Sequence, residues 1–179
     1  QNGVAVEEVP SCEAAKKAAD EAEEAIPKKA REASYVVAGG SFTPAGGPAK
    51  AVFGASGGIL SSKQIIPGGK YRRFAKGIPQ GQTSNVSCGG SPHAYPASSR
   101  PKEGHAEAKI IEDLFARRLY PLKAGSGPSP IGGTLVLSVK KKPVCCSCQA
   151  LIKCAKEAGL NIVICPQPGP MSNTLDPCP

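Results

Sequence analysis

Between residues 133 and 166 the chain sets two apolar runs, "GTLVLSVKK" (133–141) and "NIVICP" (161–166), on either side of a helical segment, "CCSCQALIKCAKEAG" (145–159). No other feature restricts the fold as strongly. Near-continuous apolar runs of this length are strands buried on both faces. Gly159 stands where a helix ends in a left-handed cap. Strand, helix and strand with short connections make a right-handed parallel crossover, so the chain must build an α/β sheet with helices covering both sides.

The remaining elements are expected to complete that sheet. Residues 104–119 form a helix ending before Pro121, and "KYRRFAKGI" (70–78) and "TSNVSCGG" (83–90) look like two short strands. The Gly/Pro/Ser-rich stretch 89–104 separates them from the helix. Residues 11–33 read as a helix capped by Ser11 and disturbed at Pro27. Its buried face offers little beyond alanine, so peripheral packing is expected. Residues 38–69, rich in Gly, Pro and Ser, are expected to connect, with one or two short strands at most. The predicted architecture is a three-layer α/β/α sandwich on a mixed sheet of about five strands with an N-terminal helical appendage. Its expected division is a helix and connecting region over 1–69 and a catalytic domain over 70–179. There is no internal repeat and no run of transmembrane length, so no membrane partner is expected. The chain begins with Gln, which points to a piece of a longer polypeptide. A monomer is expected.

The formal charge is +8, and the positive residues are grouped as "KYRRFAK" at 70–76, "ARR" at 116–118 and "KKK" at 140–142. Such a balance favours a polyanionic partner, nucleic acid above all, over a neutral metabolite.

The chain has two histidines and eight cysteines. One histidine, His105, stands at the mouth of the 104–119 helix, in "EGHAEAKIIEDLF". Counting from Glu107, Ile110, Ile111, Leu114 and Phe115 fall at helical spacing on one stripe, so the glutamate lies on the face that must be buried. A carboxylate there is costly unless it is paired, close to a metal or functional. On an ideal helix His105 would point roughly 200° away from Glu107, at about 100° per residue. Both reach one centre only if His105 sits at the helix entry, which Gly104 permits. In the second helix Cys148 shares a stripe with Leu151, Ile152 and Ala155, and Cys145 lies three residues before it. Both thiols then face inward from the first turn, where the helix N-terminus favours thiolates. In an open α/β sheet this is also where sites form.

His105, Cys145 and Cys148 make three zinc ligands and leave the fourth tetrahedral position for water, the pattern of a catalytic zinc. Glu107 is then free to act as general acid and base. The competing arrangements are a closed structural zinc, with Cys88 or Cys146 as fourth ligand, and disulfide pairing. Cys154 is expected as a small buried apolar side chain, and Cys165 and Cys178 as a pair in an oxidising compartment.

H-x-E at 105–107 followed by Pro143 and C-x-x-C at 145–148 resembles the zinc-dependent nucleoside and nucleic-acid deaminase superfamily over roughly residues 70–166. The family's Pro-Cys dipeptide is here Pro143-Val144-Cys145, with one residue inserted. Ser87, Gly89, Gly90, Pro92, Tyr95, Pro96 and Gly104, ahead of the H-x-E motif, resemble the loop of bacterial polymorphic-toxin deaminases, notably the double-stranded-DNA cytosine deaminase toxins. The resemblance implies a cytidine-deaminase fold and deamination of cytosine to uracil in nucleic acid, with DNA favoured. It also implies a secreted parent protein, delivery into a target-cell cytoplasm and a cognate immunity protein. Tyr95 is the candidate for stacking on the base and His93 for a polar contact, both from the loop over the site. Arg72, Arg73 and Arg100 are candidates for phosphate. The alternatives are a deaminase of a free nucleoside or base, of adenine in RNA, or a non-enzymatic binding module stapled by zinc or disulfides.

Overall fold

The computed structural model describes residues 3–26, 35–57, 63–66, 70–78, 82–95, 104–117, 130–169 and 173–179, with the backbone alone at 63–66 and 70–72. Five strands form one sheet: β1 (Ala5–Val6), β2 (Val37–Thr43), β3 (Lys50–Ala55), β8 (Thr134–Lys140) and β9 (Asn161–Ile164), in the order β1-β9-β8-β2-β3. β8 and β9 run parallel, Thr134 facing Asn161 and Leu137 facing Ile164, as the crossover requires. β1 adds in parallel to the outside of β9, while β2 is antiparallel to both β8 and β3. The sheet is therefore mixed, as expected.

β8 and β9 are the expected pair, but the other strands come from unexpected places. Among the described residues β4 (Lys63–Ile66) pairs only with β5 (Lys70–Arg73), and β6 (Ser87–Cys88) only with β7 (Ser91–Pro92). Neither the 70–78 nor the 83–90 segment joins the main sheet; a single bridge from Phe74 reaches Phe53. The stretch 38–69, expected to connect with one or two short strands at most, supplies most of β2 and all of β3, with β2 lodged between β8 and β3. A boundary at residue 70 thus falls between strands of one sheet.

The side chains of each strand alternate between two layers. Leu135, Leu137 and Val139 of β8, Ala38 and Phe42 of β2, and Val52 of β3 share a core with α2 (Ala106–Phe115) and α3 (Cys146–Glu157). Val37, Phe53 and Ala55 point the other way and pack with Ala18, Ala22 and Ile26 in and just beyond α1 (Cys12–Ala25). Helices therefore cover both faces.

α1 is not peripheral. Ala15, Ala18, Ala19 and Ala22 are fully buried or nearly so, because alanine lets the helix backbone itself meet the sheet. The matching surface is Gly39: a Cβ there would sit 2.0 Å from the Ala19 nitrogen. Ser11 precedes the helix but makes no side-chain capping hydrogen bond. The expected continuation through Pro27 to residue 33, like residues 118–119 of the second helix, lies outside the described residues.

The cysteines pair as Cys12–Cys165, Cys88–Cys154 and Cys146–Cys178, leaving Cys145 and Cys148 as free thiols. The expected Cys165–Cys178 pair is corrected, and Cys154 is not a lone apolar side chain. Cys12 opens α1 and Cys165 follows β9, so that bridge fastens the N-terminal helix to the sheet. Cys88 and Cys146 are both consumed by bridges, which removes them as further metal ligands.

Candidate metal centre

α2 and α3 begin at the same place in the fold, and each places a side chain there from its N-cap. His105 precedes α2 with extended backbone (φ −75°, ψ 141°), as does Cys145 before α3 (φ −73°, ψ 165°). This entry geometry brings the imidazole round to the side of Glu107, which a continuous helix would not. Cys148 follows in the first turn of α3 and is buried.

The His105 Nδ1 atom lies 3.2 Å from Cys148 Sγ and 3.3 Å from Cys145 Sγ. All three ligand atoms lie within 4.8 Å of one another. One imidazole and two thiols at that spacing fit a tetrahedral zinc bonded at about 2.0–2.3 Å. A hydrogen bond from the Cys148 thiol, then those from His105 and Ser147, hold Cys145 down to about 3 against the opposing effect of burial. Cys148 is pushed up by that same hydrogen bond and by burial. A site that already favours one thiolate is suited to a dication.

Glu107 is only 3% exposed. Burial pushes its carboxyl up to about 7, with Cys145 adding to the rise and its own backbone N–H and His105 opposing it. A carboxyl poised near neutrality suits an acid–base role. A cavity of about 460 Å³ opens beside these residues, lined by His105, Glu107 and Cys145 together with Tyr35, Val36, Ser56, Lys142, Pro143 and Asp176. Cys148 is not in that lining, so the cavity meets the cluster from the side of the other two ligands.

The cavity wall is fixed by backbone. Ser56 Oγ accepts from the Val36 N–H at 2.9 Å, and the Ser56 N–H donates to Val36 O at 2.9 Å. Behind them the buried Lys109 ammonium donates to the carbonyls of Ala55 and Gly57. Gly57 N–H in turn donates to Gly104 O at 2.8 Å, tying the end of β3 to the start of α2. None of these wall residues was foreseen. Tyr35, Val36 and Ser56 flank the hairpin of β2 and β3, in a stretch read as connection with one or two short strands at most.

Two of the expected substrate contacts, Tyr95 and His93, stand on the loop ahead of α2. The Tyr95 hydroxyl donates to Glu112 at 2.5 Å, and burial followed by that hydrogen bond raises its pKa. His93 meets Tyr95 edge-on at 4.9 Å, and burial lowers its pKa. Its Nε2 is buried with no hydrogen-bond partner among the described residues. Glu112 also accepts from Ser84 Oγ at 2.5 Å and from the Asn85 N–H at 2.7 Å, so the loop is anchored on α2 through a buried carboxylate. Neither Tyr95 nor His93 lines the cavity. Arg72 and Arg73 lie on β5, opposite Gln64 and Lys63. Arg100 falls outside the described residues.

The basic clusters are also partly engaged. Lys140 pairs with Asp20 and Glu23, each at 2.7 Å, and Lys141 pairs with Glu23 at 2.9 Å. Of that triplet, only Lys142 reaches the cavity. Among the described residues no helix is long and apolar enough to cross a membrane. Comparison of the chain with protein-family models, with curated proteins and with solved structures finds no match in any of the three.

Proposed function

We propose that this chain is a zinc-dependent hydrolase that deaminates cytosine to uracil in nucleic acid, DNA in preference, on a fold of the cytidine-deaminase type. The observation that carries the reading is the cluster of His105, Cys145 and Cys148 beside a cavity that His105, Cys145 and the buried Glu107 line together. His105, Cys145 and Cys148 would hold the ion, which when bound supplies Lewis-acid activation of water at neutral pH. Glu107 accepts a proton from the attacking water, delivers it toward ring N3, and carries a second to the departing amine. Water and cytosine thereby give uracil and ammonia. The cavity volume of about 460 Å³ lies in the range of a small-molecule pocket. A base in a polymer would have to leave its stack to enter.

The same reading takes the chain as the toxin domain of a secreted bacterial protein, with a cognate immunity protein. Its support is the resemblance of the segment 87–105 and the three disulfides, which an oxidising export route permits.

The test is uracil formation in single- and double-stranded DNA and RNA, wild type beside Glu107→Ala. Product on one polymer, abolished by the substitution in a zinc-loaded protein, is the expected result; retained turnover would sink the reading. One observation favours a second reading, a deaminase of free nucleosides or bases: Lys140 and Lys141 are committed to Glu23 and Asp20 rather than to a polyanion. Activity falling steeply with added salt separates the polymer substrate from the free one.

A further inference from the structure

The C-terminal residues lie against the metal-binding loop. Leu175 bridges in parallel to Val144, the residue between Pro143 and Cys145. The Val144 N–H donates to Thr174 O at 2.9 Å and the Asp176 N–H to Val144 O at 3.0 Å. Gln149, buried in α3, clamps both strands of this contact: its Nε2 donates to Val144 O at 3.0 Å and to Asp176 O at 2.9 Å. Thr174 is fully buried and its Oγ1 accepts from the Gln167 N–H. The Cys146–Cys178 disulfide closes the arrangement one residue from the ligand Cys145.

This contact brings Asp176 into the cavity wall beside Lys142, Pro143 and Cys145. The backbone of Asp176 is engaged on both sides. Its carboxylate makes no hydrogen bond or ion pair among the described residues. A half-buried carboxylate fixed by its own backbone in a pocket wall, with its acceptor sites open, is suited to receive N–H or O–H donors from a bound molecule.

We infer that residues 173–178 are a wall of the substrate pocket, fastened by the Cys146–Cys178 disulfide, and that Asp176 determines specificity by accepting a hydrogen bond from the substrate. The choice of substrate rests on the deaminase reading; the fastening does not. The inserted residue Val144 has a role here, because it provides the N–H and C=O with which the C-terminal segment pairs. The donor is a sugar hydroxyl or a base N–H, and the two are separable by experiment.

The experiment uses the full zinc-loaded chain. Amide exchange at Val144 and Asp176 is compared between wild type and Cys146→Ser/Cys178→Ser. At least about tenfold faster exchange at both amides is expected, and unchanged exchange overturns the fastening. Steady-state kinetics on cytidine and 2′-deoxycytidine, or on matched cytosine-containing RNA and DNA oligonucleotides where only the polymer turns over, are then compared for wild type, Asp176→Asn and Asp176→Glu. Asp176→Asn should raise KM about tenfold or more with kcat within about twofold and zinc content unaltered, and Asp176→Glu should recover part of it. A KM rise confined to cytidine assigns the donor to the 2′-hydroxyl; an equal rise on both assigns it to the base or another sugar hydroxyl. An unchanged KM in an active protein overturns the role of Asp176. A zinc-loaded wild type that turns over neither nucleoside nor polymer removes the deaminase reading and the role of Asp176 with it, while the exchange result still decides the fastening.

Discussion

The Nδ1 atom of His105 lies 3.2 Å from the Sγ atom of Cys148, a residue 43 positions further along the chain and on another helix. Nothing in either helix alone produces that contact. It arises because α2 and α3 start side by side over one sheet, so that their first turns share a centre. Removing either partner should therefore remove the ion and leave the fold. His105→Ala and Cys148→Ser are each expected to reduce bound zinc from about one per chain to near zero by elemental analysis, with an unchanged far-ultraviolet spectrum. Chelation of the wild type should lower its Tm, since the ion binds only the folded chain. A variant that keeps stoichiometric zinc would refute this ligand set.

Glu107 separates stability from chemistry. The carboxyl is 3% exposed, and burial is the first cause of its raised pKa. Glu107→Gln preserves shape and removes the ionisable group. It should leave thermal stability unchanged or raise it by about 1 kcal/mol, keep zinc, and reduce turnover by a factor on the order of 10² to 10⁴. Calorimetry and product assays on one preparation check both halves. A loss of stability together with activity would mean that the residue is structural.

The crossover was legible because β8 and β9 carry unbroken apolar runs and α3 carries a regular stripe. The meeting of His105, Cys145 and Cys148 near Glu107, a group that could hold a metal, was legible for a related reason: Glu107 on an apolar stripe has no inexpensive alternative explanation. Val144 did not disturb the ligand register, since Cys146, the competing thiol, is drawn away to Cys178. Three things were not legible. The pairing of cysteines depends on which elements become neighbours, and spacing does not carry that. Tyr95 was read as a stacking candidate, and only the position of Glu112 places its hydroxyl. The interior strand β2, beside the central β8, was hidden because Gly39 and Gly40 are there to admit α1 and neighbouring side chains, and glycine in a sequence signals a turn before it signals close packing.

That close packing gives a paired prediction. A Cβ at Gly39 would sit 2.0 Å from the Ala19 nitrogen, whereas one at Gly54 would sit 2.5 Å from the Ala106 carbonyl oxygen. Both substitutions to Ala overpack backbone, at about 1–3 kcal/mol or more. Their consequences should differ. Gly39→Ala displaces α1, on the face away from the metal, and should lower Tm while zinc affinity holds. Gly54→Ala displaces the first turn of α2, which follows His105, and should weaken zinc as well. Competition with a chromophoric chelator distinguishes them, and equal zinc affinity in both variants would count against the coupling of β3 to the site.

The Cys12–Cys165 bridge joins residues 153 apart, one opening α1 and the other following β9. By the loop-entropy argument the Cys12→Ala/Cys165→Ala variant should lose about 2–5 kcal/mol. The remaining bridges moderate that loss, because they already restrict the unfolded chain. Denaturant unfolding of the two proteins measures it directly, and a loss below about 1 kcal/mol would mean that α1 is held by its alanine face and its ion pairs with Lys140 and Lys141.

Acid should loosen the same helix at its other end. Hydrogen bonding from Lys140, with further help from Lys141, holds the Glu23 carboxyl down to about 2. Glu23 belongs to α1 and Lys140 to β8, so the pairs fasten the C-terminal part of the helix to the strand. A depressed carboxyl pKa stabilises the fold fully above its unfolded value of about 4.5, and that stabilisation is lost as pH falls from there toward 2. The lysines are partly exposed, so solvent screening limits the contribution to about 1 kcal/mol or less. Wild type should therefore exceed Glu23→Gln in unfolding free energy by that amount at pH 6 and low salt. The gap should narrow through pH 4 and vanish near pH 2, and added salt at pH 6 should narrow it too. A gap that is constant with pH would show that Glu23 acts through packing of its side chain rather than through its charge.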